Sequence, residues 1–212
     1  EIRQRFPKAK MKSVKGRVLM PGIVNTHMHL YSTFARGIAL KDASPTNFVE
    51  ILERLWWRLD KALTKEDLYL TALIPLLDAV RNGVTTLIDH HASPNCITGS
   101  LSVLRDVFRK CGLRGSLCYE ISDRDGFQKC DEGFTENANF IRGLKLESES
   151  DIHAMIGLHA SFTLSDTSLE RAAELMKALQ TGVHIHVAED KADNVDAVNR
   201  GYRSVVDRLH RF

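Results

Sequence analysis

Five short apolar, β-prone segments, at residues 17–29, 85–91, 114–120, 153–161 and 183–189, alternate with stretches that carry helical marks. That alternation limits the fold more than any other feature, because strands joined through helical crossovers run parallel. Residues 48–63 and 66–82 set apolar side chains at helical spacing, the second through Leu68, Leu70, Leu73, Leu76, Leu77 and Val80. Gly83 stands where a cap glycine is expected, and Pro75 is expected to interrupt and kink that helix. Residues 101–111 are amphipathic and close at Gly112. Thr163 with Asp166 reads as a capping box for a helix ending near Gly182.

In parallel α/β folds the working groups collect at the C-terminal ends of the strands. Candidate residues follow four of the five segments here. A barrel brings every strand end to one axis, whereas an open doubly wound sheet converges only at its switch point. The expected fold is therefore α/β, a (β/α)8 TIM-type barrel. A full barrel takes about 250 residues, so the 212 residues are expected to cover roughly the first five βα units and to stop inside a helix at Arg211-Phe212.

A hydrophobic fraction of 43% and a charged fraction of 26% suit a globular domain with a real core. The net charge of +2 argues against a nucleic-acid surface, and Lys8, Lys10, Lys12, Lys15 and Arg17 read as a solvated approach to the first strand. No run approaches a membrane span, and no signal-peptide pattern opens the chain. Cys96, Cys111, Cys118 and Cys130 are scattered without a C-x-x-C pair, which fits reduced thiols in a cytoplasmic protein.

The chemistry concentrates in two His-x-His pairs. His27 and His29 close the first segment, which reads as a buried strand. Residues two apart on a strand share a face, so two imidazoles there can grip one cation. His184 and His186 end the fifth segment, with Glu189 three residues on. His186 is the natural third ligand; His184 is either a fourth or a packed core histidine. A carboxylate beside a metal-activated water can take its proton and later deliver it to a leaving nitrogen, which suits Glu189 better than Asp190. A surface salt bridge to Lys191 is the competing reading. His159 ends the fourth segment and could orient a substrate carbonyl or amide. His90 and His91 end the second, where one must face the axis, with His91 the leading choice. Of Trp56 and Trp57, one is expected in the core and the other along the substrate pocket; Trp56 is taken as the pocket residue.

Met20-Pro21-Gly22-Ile23-Val24-Asn25-Thr26-His27-Met28-His29 resembles the opening strand of the amidohydrolase superfamily. Phe34-Ala35-Arg36-Gly37, Leu55-Trp56-Trp57-Arg58-Leu59-Asp60, Ile88-Asp89-His90-His91-Ala92-Ser93-Pro94-Asn95 and His184-Ile185-His186-Val187-Ala188-Glu189-Asp190 resemble the SsnA-type aminohydrolases within it. The group includes deaminases of guanine, cytosine and adenosine-type substrates and triazine hydrolases. The resemblance implies a barrel with a small β-sandwich built from both termini. Residues 1–20 would then be a sandwich remnant and lead-in, and residues 21–212 the first part of the hydrolase barrel.

It further implies one divalent metal, zinc first and iron as the alternative, held by His27, His29 and His186. Glu189 would be the proton shuttle, with His159, His91, His90 and Trp56 around the substrate. Residues 154–159 hold no lysine of the kind that bridges two metals when carboxylated, which favours a single ion. The superfamily also draws a histidine from the sixth strand and an aspartate from the eighth. Neither is in this sequence, so the chain as written is expected to be incomplete and inactive alone. The expected activity is hydrolytic deamination of a small nitrogen heterocycle by metal-activated hydroxide, in a homo-oligomer. A hydantoin-type cyclic-amide hydrolase and a non-catalytic truncated subunit are the alternatives.

Overall fold

The computed structural model describes residues 1–147 and 151–212. Six strands, β1 (Ile23–Met28), β2 (Val84–His91), β3 (Arg114–Ile121), β4 (Ile152–Ala154), β5 (Ile156–Ala160) and β6 (Val183–His186), pair in parallel in the order β1-β2-β3-β5-β6, with β4 beside β3. Laid flat, the outer strands of a five-strand path would stand about 19 Å apart. Yet Nε2 of His27 on β1 lies 3.3 Å from Nε2 of His186 on β6. The sheet is curled like half a barrel, and the strand ends converge as expected.

Helices cover its outer face: α1 (Lys65–Arg81), α2 (Ser100–Cys111), α3 (Phe127–Lys145), α4 (Asp166–Leu179), α5 (Lys191–Asn199) and α6 (Val205–His210). One core cluster joins Leu76, Leu87, Leu104, Phe108 and Leu117 beneath α1 and α2. A second joins Ile121, Phe134, Ile156, Leu158 and Leu169 beneath α3 and α4. Gly115 lets β3 pass close under α2, since a Cβ there would lie 2.6 Å from the Phe108 ring. Between β1 and α1 the chain makes a 3-10 turn (Leu30–Ala35), a helical turn (Phe48–Ile51), a π-helical turn (Leu52–Trp56) and the helix Trp57–Ala62.

Several expectations change. The first strand begins at Ile23, not at residue 17, because Pro21 has no N–H for a ladder and, among the described residues, no strand pairs with residues 17–22. Nor is it buried: β1 is an edge strand in the described residues, with Ile23 and Val24 about half exposed. The segment 153–161 splits at Met155 into β4 and β5. Helix α1 runs unbroken through buried Pro75, at the cost of one backbone bond, and opens with a Thr64/Asp67 capping box. The cap of α4 is Ser165, whose side chain accepts from the Ser168 N–H, rather than Thr163. The last helix ends at His210, before Arg211-Phe212.

Helix α3 has no counterpart in the sequence reading. Its inner face mixes buried Phe134, Phe140 and Ile141 with small and polar residues: Gly133 packs against the Tyr119 ring, Asn137 bonds both the N–H and the carbonyl of Tyr119, and Glu136 accepts from the Gly99 and Leu101 N–H groups. Glu136 thereby supplies the cap that Gly99, at the start of α2, cannot.

Candidate metal centre

Four histidine rings meet where the ends of β1 and β6 face each other across the curl. His29, just past β1, sends Nδ1 to the His90 carbonyl at 2.7 Å, and His186 sends Nδ1 to the His159 carbonyl at 2.8 Å. A carbonyl only accepts, so each Nδ1 carries the proton and each Nε2 is a bare lone pair. Those two Nε2 atoms lie 3.1 Å apart. His27 adds a third Nε2, 3.3 Å from that of His186, while its Nδ1 meets Nε2 of His184 at 2.9 Å.

Lone pairs facing one another at such distances repel unless a cation lies among them. A proton fits poorly at His29, whose pKa burial lowers to about 4; burial lowers that of His27 as well. A divalent ion fits well: two nitrogens held at 2.0–2.1 Å by one tetrahedral zinc lie about 3.3 Å apart. The residues present therefore suit a metal.

Glu120, at the end of β3, is the group the sequence reading missed. It is buried, with Oε2 3.2 Å from Nδ1 of His90 and Oε1 3.8 Å from Nε2 of His159. Burial works to raise its pKa, but the facing His159, His90 and His29 rings outweigh this and hold it well below the usual carboxylate range. Ligand atoms of His29, His90, Glu120 and His186 all lie within 4.8 Å of one another, a second grouping of donors beside the three converging Nε2 atoms. Glu120 does for β3 what the histidines do for the other strands, and that shared strand-end position was the available signal.

The remaining candidates separate clearly. His29, His186, Glu189, His159, Trp56 and Trp57 line one cleft of about 200 Å³, with Glu120 in its wall. Both tryptophans reach it, rather than one. Glu189 sits in the exposed turn after β6, where Ala188 takes a left-handed φ of 57° and its N–H donates to Asp193. No ion pair joins Glu189 to Lys191 among the described residues. Asp190 is occupied as the N-cap of α5. His90 faces the cluster, with Nε2 3.3 Å from the His184 carbonyl. His91, the expected leader, points to the other side of β2: its Nε2 meets the Ser93 hydroxyl at 2.9 Å, and it does not line the cleft. Arg124 braces the cleft wall, bonding Asp60 and stacking 5.1 Å over the Trp57 ring.

The partners of His159 choose between the two substrate groups, carbonyl or amide, that the sequence left open for it. The Thr163 hydroxyl donates to the Ala160 carbonyl at 3.0 Å, so its oxygen accepts from Nδ1 of His159 at 2.7 Å. Burial lowers the pKa of His159 to about 4. A neutral His159 thus presents an accepting Nε2 to the cleft and would bind a substrate N–H rather than a carbonyl.

Asp89 yields a pH prediction. Its Oδ1 accepts from the Leu30 N–H at 2.8 Å, its Oδ2 has no partner among the described residues, and burial raises its pKa from 3.8 to about 7. The raised value means its stability contribution is complete below about pH 4 and fades as pH climbs through about 7, where the unpaired charge must be buried. Asp89→Asn keeps the acceptor for Leu30. Its stability should match the wild type near pH 4 and exceed it by up to about 4 kcal/mol near pH 8, read by denaturant unfolding. A pH-independent difference would contradict this.

The amidohydrolase family profile matches residues 18–211. The 5'-deoxyadenosine deaminase of Methanosarcina mazei is 31% identical over 179 residues, which is 84% of this chain and 39% of that protein. The 5-methylthioadenosine/S-adenosylhomocysteine deaminase of Caldanaerobacter subterraneus subsp. tengcongensis is 26% identical over 195 residues, 92% of this chain and 42% of that one. The chain thus spans about two fifths of the length of these curated relatives. An adenosine deaminase structure from Xanthomonas campestris with bound zinc superposes with a TM-score of 0.75 at 24% identity, over 91% of this chain and 42% of that one. A guanine deaminase from Bradyrhizobium japonicum gives 0.79 at 16% identity, over 99% and 45%. These likenesses establish the fold as the corresponding part of a (β/α)8 barrel. With its histidine pairs inside a profile match that runs nearly from end to end, the chain belongs to the amidohydrolase family.

Proposed function

We propose that this chain carries the metal-binding half of a hydrolase that deaminates a small nitrogen heterocycle. The observation that carries the reading is the convergence of three imidazole Nε2 atoms, two with their tautomers fixed by backbone carbonyls. His27, His29 and His186 would hold one divalent ion, zinc first and iron as the alternative. When bound, such an ion supplies a water acidified toward neutral pH and a Lewis acid for the substrate.

The chain's own residues supply the rest. Glu189, at the mouth of the cleft, takes the proton of the attacking water and hands it to the departing nitrogen. Trp56 and Trp57 offer faces for a planar ring. Nε2 of His159 and Oε1 of Glu120 are two acceptors 3.8 Å apart, which favours an edge that presents N–H groups. His90 donates its Nε2–H to the His184 carbonyl and so steadies the β6 backbone. Among the described residues no arginine or lysine lines the cleft, which favours a neutral heterocycle over a phosphorylated one. The names of the relatives, deaminases of adenosine derivatives, and the guanine deaminases among the structural neighbours support the same substrate class.

Four free cysteines suit a reducing, cytoplasmic setting, and the exposed apolar residues at the β1 edge suit a homo-oligomer. Strand β5 carries no lysine, which counts against the two-metal, cyclic-amide reading. The test is zinc-dependent ammonia release from adenine- and guanine-type nucleosides and bases. Release that is abolished by a chelator and restored by zinc supports deamination. Ring opening without ammonia would overturn it.

A further inference from the structure

We infer that His184 is a positioning residue for the metal centre, one that takes the Nδ1 proton of His27 and so turns His27 into an Nε2 ligand. The inference rests on the metal reading above but assigns a residue which that reading leaves without a role. His184 lies on β6, one strand position inside the centre, and does not line the cleft. Its Nε2 is 2.9 Å from Nδ1 of His27, on a strand at the other edge of the sheet.

The order of donors follows from the partners on either side. The Cys118 thiol donates to the backbone carbonyl of Asp89 at 3.5 Å, and its sulfur lies 3.8 Å from Nδ1 of His184. With the thiol proton committed to a carbonyl, which can only accept, the sulfur is left to receive the His184 Nδ1–H. A neutral imidazole has one donor and one acceptor, so Nε2 of His184 must then accept, and Nδ1 of His27 must donate to it. That leaves Nε2 of His27 bare, 3.3 Å from Nε2 of His186. The opposite order, with the thiol donating to His184, would place a proton on His27 Nε2 and block the centre. His29 and His186 have backbone carbonyls for this purpose; His27 meets a second histidine instead.

The test is zinc affinity of the 212-residue chain, measured by competition with a chromogenic chelator, for wild type, His184→Phe and His184→Gln. Phe keeps the ring volume and removes both nitrogens; Gln returns an acceptor oxygen near Nε2. The expected result is a 10–100-fold weaker site in His184→Phe, with most of the loss recovered in His184→Gln. Equal affinity in wild type and His184→Phe overturns the inference, and so does a loss that Gln fails to recover. Nitrogen NMR of the zinc-loaded wild type reads the same point without a variant. His184 protonated on Nδ1 supports the inference, and protonation on Nε2 overturns it. A wild-type chain that takes up no zinc overturns the metal reading itself, an outcome distinct from either.

Discussion

Glu189→Gln is expected to bind zinc as the wild type does and to lose about 10²–10⁴-fold in turnover, the usual worth of a positioned general acid–base. Gln keeps the shape and hydrogen-bonding reach of the side chain and removes only its capacity to take a proton. The turn that carries Glu189 is held from outside the centre, by the Asp193 contact to the Ala188 N–H and by the Asp190 cap of α5. Removing the charge should therefore leave the three Nε2 atoms where they are. Ammonia release under saturating zinc, paired with zinc content, separates the two effects. Full activity in the variant would remove Glu189 from the mechanism, and a loss of zinc would make it a ligand.

His186→Ala should have the larger effect on the metal. Its Nε2 is the one close to both others, 3.1 Å from His29 and 3.3 Å from His27. Losing it should weaken zinc binding by more than the 10–100-fold typical of a supporting partner. Glu120→Gln gives the contrast. Its carboxylate already faces His90 and His159, so the variant should keep its zinc. If Glu120→Gln lost the metal while His27→Ala kept it, the ion would sit instead among His29, His90, Glu120 and His186.

The sequence made the two His-x-His pairs legible because period two on a strand is a geometric certainty once the strand is recognised, and the flanking apolar residues supply that. The curl that joins β1 to β6 followed from the strand–helix alternation. What stayed hidden had a physical cause in each case. The choice between His90 and His91 could not be read because both faces at the end of β2 are buried, so no polar alternation marks the inward side. Glu120 ends a strand flanked by Tyr119 and Ile121 and looks like an ordinary boundary residue until its neighbours from other strands are known. Helix α3 escaped because Gly133, Glu136 and Asn137 take inward positions where periodicity expects large apolar side chains. Thr163 sits within reach of a capping pattern, but its hydroxyl is used by His159.

Zinc stoichiometry of the wild-type 212-residue chain, titrated after chelator treatment and followed by elemental analysis, bears most directly on the converging imidazoles. One zinc per chain, lost in His186→Ala and retained in Glu120→Gln, is the expected result. A wild-type chain that holds no zinc, or one whose zinc survives removal of His186, would contradict a centre built from His27, His29 and His186.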